Sequence, residues 1–105
     1  MPKPTERGEV WFARIDKLRP VVVASRNDVN GVRTRTTVAV VTTTRRGIAS
    51  EVDLDHRDGF EHACAINCDE LVTIDKSRLA RRRGALSTSR LAELDEALRF
   101  ALQLR

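Results

Sequence analysis

Eight consecutive residues, Thr36-Thr37-Val38-Ala39-Val40-Val41-Thr42-Thr43, carry apolar or hydroxyl side chains on both alternating faces. A strand with one face in water alternates apolar with polar residues, so this segment has to be covered on both faces, in the middle of an enclosed sheet. Arg19-Pro20-Val21-Val22-Val23-Ala24-Ser25 is a second run of the same kind. Pro20 has no N–H to give a ladder, which predicts a strand start or edge there. The stretch from Gly8 to Ile15 is rich in β-branched and aromatic residues and predicts a third strand. Asn27-Asp28 and Asn30-Gly31 supply turn chemistry over residues 26–35.

Glu51-Val52-Asp53-Leu54-Asp55 alternates cleanly, predicting Val52 and Leu54 inward and the carboxylates toward water. Residues 63–68 and 71–74 predict two further short strands, and Arg83-Gly84-Ala85-Leu86 a last one. Between them, Asp75 is placed to cap one helical turn over Lys76–Leu79. The clear helical period comes at the end, where Leu91, Leu94, Leu98, Ala101 and Leu102 share a stripe filled in by Ala97. Ser87, Thr88 or Ser89 can supply its N-cap oxygen, and Asp95 and Arg99 stand as an acid-before-base pair one turn apart. The fold class expected is mainly β with a C-terminal helix (α+β). About six to seven short strands form a small, strongly curved sheet or barrel, with the helix over it, in one domain spanning 1–105.

The length of 105 residues suits one core rather than two. No apolar run approaches the ~20 residues of a membrane span and the first residues lack a signal-peptide stretch, so a cytoplasmic protein with no membrane partner is expected. Sixteen of the 19 basic residues are Arg, whose planar five-donor fork matches phosphate and stacks on bases. The charge is unevenly spread: net +6 over residues 1–50, −7 over 51–75 and +5 over 76–105. A basic face beside an acidic lobe suits a polyanionic partner on one side.

Cys64 and Cys68, four residues apart on one strand face, would be separated by roughly 13 Å at about 3.3 Å per residue. They cannot bridge each other, and no second Cys or His pair stands at a zinc spacing, so two buried reduced thiols and no metal site are expected. His56 and His62 flank a turn around Gly59 among Asp55, Asp58 and Glu61 and read as surface histidines. The remaining polar cluster pairs Arg19, opening one strand, with Thr42-Thr43-Thr44-Arg45-Arg46, closing another. In a small barrel those strand ends can lie side by side. A guanidinium fork and hydroxyl donors there suit a phosphodiester passing through a crowded, doubly charged phosphorane.

Gly8-Glu9-Val10-Trp11, Arg19-Pro20-Val21-Val22-Val23, the run Val38–Thr44 and the closing Leu-rich helix together resemble the MazF/PemK family of mRNA-interferase toxins of bacterial toxin–antitoxin modules. The resemblance covers roughly residues 6–104, including Glu70–Leu79. It implies an SH3-like barrel and a homodimer. It also implies cofactor-free, metal-independent cleavage of single-stranded RNA by 2′-OH attack, leaving a 2′,3′-cyclic phosphate and a 5′-hydroxyl. The family's functional Arg falls on Arg19 and its Thr on Thr42, with Thr43 as the fallback one residue on. Arg14, Lys17, Arg33, Arg35, Thr44, Arg45 and Arg46 are the candidate RNA contacts. The implied partner is an acidic antitoxin with a disordered tail that excludes RNA.

Two features depart from the family pattern. The loop between the first two strands is reduced to Asp16-Lys17-Leu18, and Glu70 stands where Gln is commoner. Two other readings share these residues. A gyrase-poisoning toxin on the same barrel acts through a C-terminal aromatic-Gly-apolar tail, whereas this chain ends Leu102-Gln103-Leu104-Arg105. A non-catalytic RNA-binding module would need stacking platforms, of which four aromatics and no Tyr offer few.

Overall fold

A computed structural model describes residues 5–105, with the backbone alone at 28–30. Six strands form one antiparallel sheet: β1 (Glu9–Arg14), β2 (Leu18–Val23), β3 (Arg35–Thr42), β4 (Glu51–Leu54), β5 (Cys64–Asp75) and β6 (Leu79–Ala85). Their spatial order is β4-β5-β3-β2-β1-β6. Helix α1 (Asn27–Val32) connects β2 to β3, and α2 (Thr88–Ala101) closes the chain. Among the described residues no helix is long and apolar enough to cross a membrane.

The curl of the sheet buries β2 and β3 on both faces. Val22, Ala39 and Val41 join Val52, Leu54, Phe60, Cys64, Ile66 and Cys68 beneath the helix residues Leu94 and Ala97. Val21, Val23, Val38 and Val40 turn the other way, against Trp11, Ala13, Ile74 and Leu79. The apolar runs on both alternating faces are therefore inner strands of a curled sheet, as their pattern requires. Pro20 lies near the start of β2, where the ladder to β3, paired from Val21↔Val40 onward, has not yet begun.

The structure corrects four local expectations. Residues 63–68 and 71–74 belong to one strand, β5, rather than two. Its register on β3 jumps from Leu71↔Ala39 to Asn67↔Val40, so the polar pair Asp69-Glu70 marks an irregularity instead of a strand end. Ser50 fixes that bend by donating from Oγ to Asp69 Oδ2 at 2.6 Å. The last strand starts at Leu79 rather than Arg83, and residues 27–32 form a short helix where turn residues predict only loop. Asp95 pairs with Arg7 at 2.8 Å, and Arg99 pairs with Glu96, so the expected Asp95–Arg99 pair does not form. The Ser87 cap of α2, accepting from Arg90 N, and the single turn at 76–78 capped by Asp75 are as expected.

Gly8 joins three elements at one point. Its N–H donates to Val23 O and its carbonyl accepts from Leu86 N, both at 2.8 Å. It holds φ +91°, and a Cβ there would come within 3.2 Å of Leu91 Cδ1 on α2. A left-handed backbone at a non-glycine residue costs about 1–3 kcal/mol. Gly8→Ala is expected to lower the unfolding free energy measured by chemical denaturation by an amount in that range; an unchanged free energy would refute the constraint.

Candidate functional site

The β1–β2 hairpin turns through Asp16 and Lys17, with Ile15 N donating to Lys17 O at 3.0 Å. The turn brings Asp16 beside Arg19, whose Nε and Nη2 donate to Asp16 Oδ1 and Oδ2 at 2.7 and 3.1 Å. This pair holds the Asp16 carboxyl far below the usual carboxylate range. In return Asp16, with a weaker contribution from the charge of Glu70, binds the Arg19 proton more firmly than water would. A carboxylate pKa depressed in the fold means the pair is intact through the neutral range and is lost only as pH falls below the ordinary carboxylate range. Asp16 engages the side-on edge of the guanidinium. Nη1 has no hydrogen-bond partner among the described residues, so an end-on N–H pair is left for an anion.

Extending the β2–β3 register two residues past Val21↔Val40 sets Arg19 opposite Thr42 on the same sheet face. Both line one cleft of about 380 Å³ with Lys17 and Thr43. Thr42 Oγ1 accepts from Thr44 N at 3.1 Å, which fixes its rotamer as the strand gives way to loop. The strand mouth thus presents one guanidinium, hydroxyls and an ammonium around a space large enough for a phosphodiester and a base.

The structure separates the other expected contacts. Thr44, Arg45 and Arg46 lie exposed in the loop after β3, outside the cleft lining. Arg45 lies 3.8 Å from Asp53, and the N–H groups of Arg46 and Gly47 donate to Glu51 Oε1. Arg33 and Arg35 sit at the opposite end of β3 from Thr42, with Arg35 seven residues or roughly 23 Å away along the strand. Arg35 instead lines a second cleft with Ile15, Val72 and Arg78. Arg14 belongs to that side too, its carbonyl accepting from Arg78 Nη1 at 3.2 Å. Of the seven candidate RNA contacts only Lys17 lines the Arg19–Thr42 cleft: Thr44, Arg45 and Arg46 leave it by the loop, Arg33 and Arg35 lie toward the other end of β3, and Arg14 is on their side.

Residues that sequence reasoning missed complete the wall: Phe60, Glu61, His62 and Arg83. Arg83 arrives on β6, and the other three because the segment after β4 is folded back over the core. Phe60 is buried beneath it. Arg83 donates from Nη2 to Gly59 O, and Arg90 Nε donates to Asp58 Oδ1 at 3.2 Å. The one sequence signal was Phe60, a lone large apolar residue in an acidic loop, which needs a core to sit in. His56 and His62 are both exposed as expected, although His62 also borders the cleft. Its acidic surroundings are largely neutralised, Asp55 by Arg57 and Asp58 by Arg90.

Cys64 and Cys68 are free and buried as expected, and burial pushes the Cys68 thiol up to about 11. Neither is poised as a nucleophile. Among the described residues no group of three His, Cys, Asp or Glu side chains converges as a metal site.

Residues 6–102 match the family model described as the PemK-like, MazF-like toxin of type II toxin–antitoxin systems. The chain is 38% identical over 95 residues to endoribonuclease MazF3 of Mycobacterium tuberculosis, covering 90% of this chain and 92% of that protein. Among solved structures, Mycobacterium tuberculosis toxin MazF-mt6 superposes with a TM-score of 0.87 at 37% identity, covering 92% of this chain and 98% of that one. An endoribonuclease solved in complex with its cognate antitoxin, from a mycobacterial species, superposes with a TM-score of 0.88 at 25% identity, covering 96% and 97%.

Proposed function

Because this chain belongs to the PemK-like, MazF-like toxin family, we propose that it is a cytoplasmic endoribonuclease toxin, one domain throughout, that cuts single-stranded RNA in the cleft of Arg19 and Thr42. The observation that carries the reading is the pairing of a pre-oriented guanidinium with a strand-end hydroxyl across one cleft. In the reaction the substrate 2′-OH attacks the adjacent phosphorus and the bond to the 5′-oxygen breaks, giving a 2′,3′-cyclic phosphate and a 5′-hydroxyl. Charge grows on the equatorial oxygens of the phosphorane. The free end-on edge of Arg19 and the Thr42 hydroxyl donate to those oxygens, and Lys17 adds positive charge at the rim. Arginine keeps its proton throughout the physiological range, and Asp16 binds it further, so Arg19 serves as donor and charge rather than as base. The 2′-OH proton passes to a substrate or solvent oxygen, the departing 5′-oxygen takes one from solvent, and no metal or cofactor enters the scheme.

Arg45 and Arg46, in the loop leaving Thr42, are placed to follow the RNA backbone out of the cleft; Arg14, Arg33 and Arg35 belong to any longer path along the surface. A homodimer is the assembly, and an acidic antitoxin with a disordered tail is the partner that excludes RNA by covering these basic groups.

The test is incubation of the purified chain with a long single-stranded RNA in EDTA, followed by mapping of the ends. Discrete cuts with 5′-hydroxyl ends are expected, and an RNA carrying 2′-deoxy at a mapped site should resist cleavage there. Intact RNA under all conditions would overturn the proposal. Thr42→Val removes the hydroxyl at nearly constant volume and should lower kcat on the order of 10²-fold, the scale of one lost donor to a developing oxyanion. A Thr42→Val enzyme with wild-type kcat would shift the role to Thr43.

A further inference from the structure

Among the described residues, seven arginines ion-pair with carboxylates, Arg19 included. Arg83 has no carboxylate partner among them, and it is the one such arginine in the lining of the Arg19–Thr42 cleft. Its guanidinium carbon stands 4.2 Å from the centroid of the Phe60 ring and 5.4 Å from that of Phe12. Arg81, two residues along β6, lies 5.1 Å over the same Phe12. A guanidinium at these distances is attracted to the ring face, and the Gly59 carbonyl fixes its rotation by accepting from Nη2. Side-chain entropy is already lost and charge is left uncompensated, although Arg83 as a whole remains exposed.

Single-stranded RNA is held largely by stacking of its bases on aromatic rings or on arginine planes. The aromatic rings themselves are poorly placed for this. Trp11 and Phe60 are buried, Phe12 is half-buried beneath Arg81 and Arg83, and Phe100 stands exposed on α2, away from the cleft. We propose that Arg83 presents the missing plane and stacks on a nucleobase flanking the scissile phosphate, with Phe60 and Phe12 as its backing. This rests on the RNA-cleaving reading of the same cleft. It assigns binding, not chemistry, to Arg83: losing the platform weakens substrate binding while the reacting groups at Arg19 and Thr42 stay in place.

The test uses the full chain and an RNA oligonucleotide with 2′-deoxy at a mapped cleavage site, so that it binds without being cut. Dissociation constants are measured for wild type, Arg83→Ala and Arg83→Lys, with the RNA intact or abasic at each flanking nucleotide. Arg83→Ala should weaken binding of intact RNA on the order of 10-fold, the scale of one lost base stack. Arg83→Lys should not rescue it, because an ammonium keeps the charge and a donor for Gly59 but has no plane. One abasic position should weaken the wild type equally and the Arg83→Ala variant no further. Rescue by Arg83→Lys would overturn the proposal in favour of a phosphate contact. Losses that add at every abasic position, or an unchanged dissociation constant for Arg83→Ala, would also overturn it. Failure of the wild type to cut or bind RNA would bring down the reading of the cleft itself, a result distinguishable from any of these.

Discussion

Arg19→Ala should reduce the rate of RNA cleavage by about 10³-fold or more, with the fold unaltered. The scale follows from charge. One uncharged donor to a developing oxyanion is worth about 10²–10³ in kcat, and an arginine stabilising a phosphoryl transition state about 10³–10⁵. Arg19 combines both roles, and its Asp16 partner holds the fork in place before substrate arrives. Arg19→Lys retains one positive charge but loses the two-pronged geometry, so it should recover only part of the rate. Stability should scarcely change, because solvent screens an exposed ion pair and the cost of holding two side chains in one geometry offsets its attraction. Initial rates on a defined RNA, with thermal unfolding as the control, decide the matter. An Arg19→Ala enzyme within ten-fold of wild type would remove Arg19 from the chemistry.

The central strands were legible because a covered strand must be apolar on both faces, and Val21–Val23 and Val38–Val41 leave no other solution. That Arg19 lies near the threonines starting at Thr42 was legible for a related reason, since each marks the end of such a run. What the pattern could not show was the path of weakly patterned segments. The segment Leu79-Ala80-Arg81-Arg82 carries no strand pattern and falls outside the last strand expected at Arg83–Leu86. It forms an edge strand because Leu79 anchors it beside Ala13 and because an arginine-lined edge resists pairing with other chains. Asp69-Glu70 looks like a break, yet an irregularity in β5 accommodates two polar residues without ending the strand. The return of residues 55–63 to the cleft depends on Arg83 and Arg90, which are distant in sequence, so no local window contains it. Arg33 and Arg35 were grouped with the site on charge alone. Charge composition carries no information about which end of a strand a residue occupies.

Leu54→Ala is expected to be the most damaging single core truncation. Leu54 is fully buried at the end of β4, an edge strand held by β5 on one side and packed under α2. Truncating a buried leucine costs about 2–5 kcal/mol, through lost transfer energy and the cavity left behind. Against a typical total stability of about 5–15 kcal/mol, that is a substantial fraction. At about 4–8 °C per kcal/mol for a domain near this size, the thermal midpoint should fall by roughly 10 °C or more. Position adds a second effect. Leu54 directly precedes Asp55, which accepts from Arg57 N and caps the turn at 56–58, and it shares its core with Phe60. Loosening β4 therefore also loosens the segment that sets Phe60 under Arg83. At temperatures where the variant is still folded, RNA binding should weaken while the chemistry of bound substrate, set by β2 and β3, changes little. A rise in KM with kcat nearly preserved, together with the lowered midpoint, is the expected signature. A midpoint within about 3 °C of wild type would mean the cavity collapses without cost. A fall in kcat alone would mean that β4 supports the Arg19–Thr42 pair directly rather than through the loop that follows it.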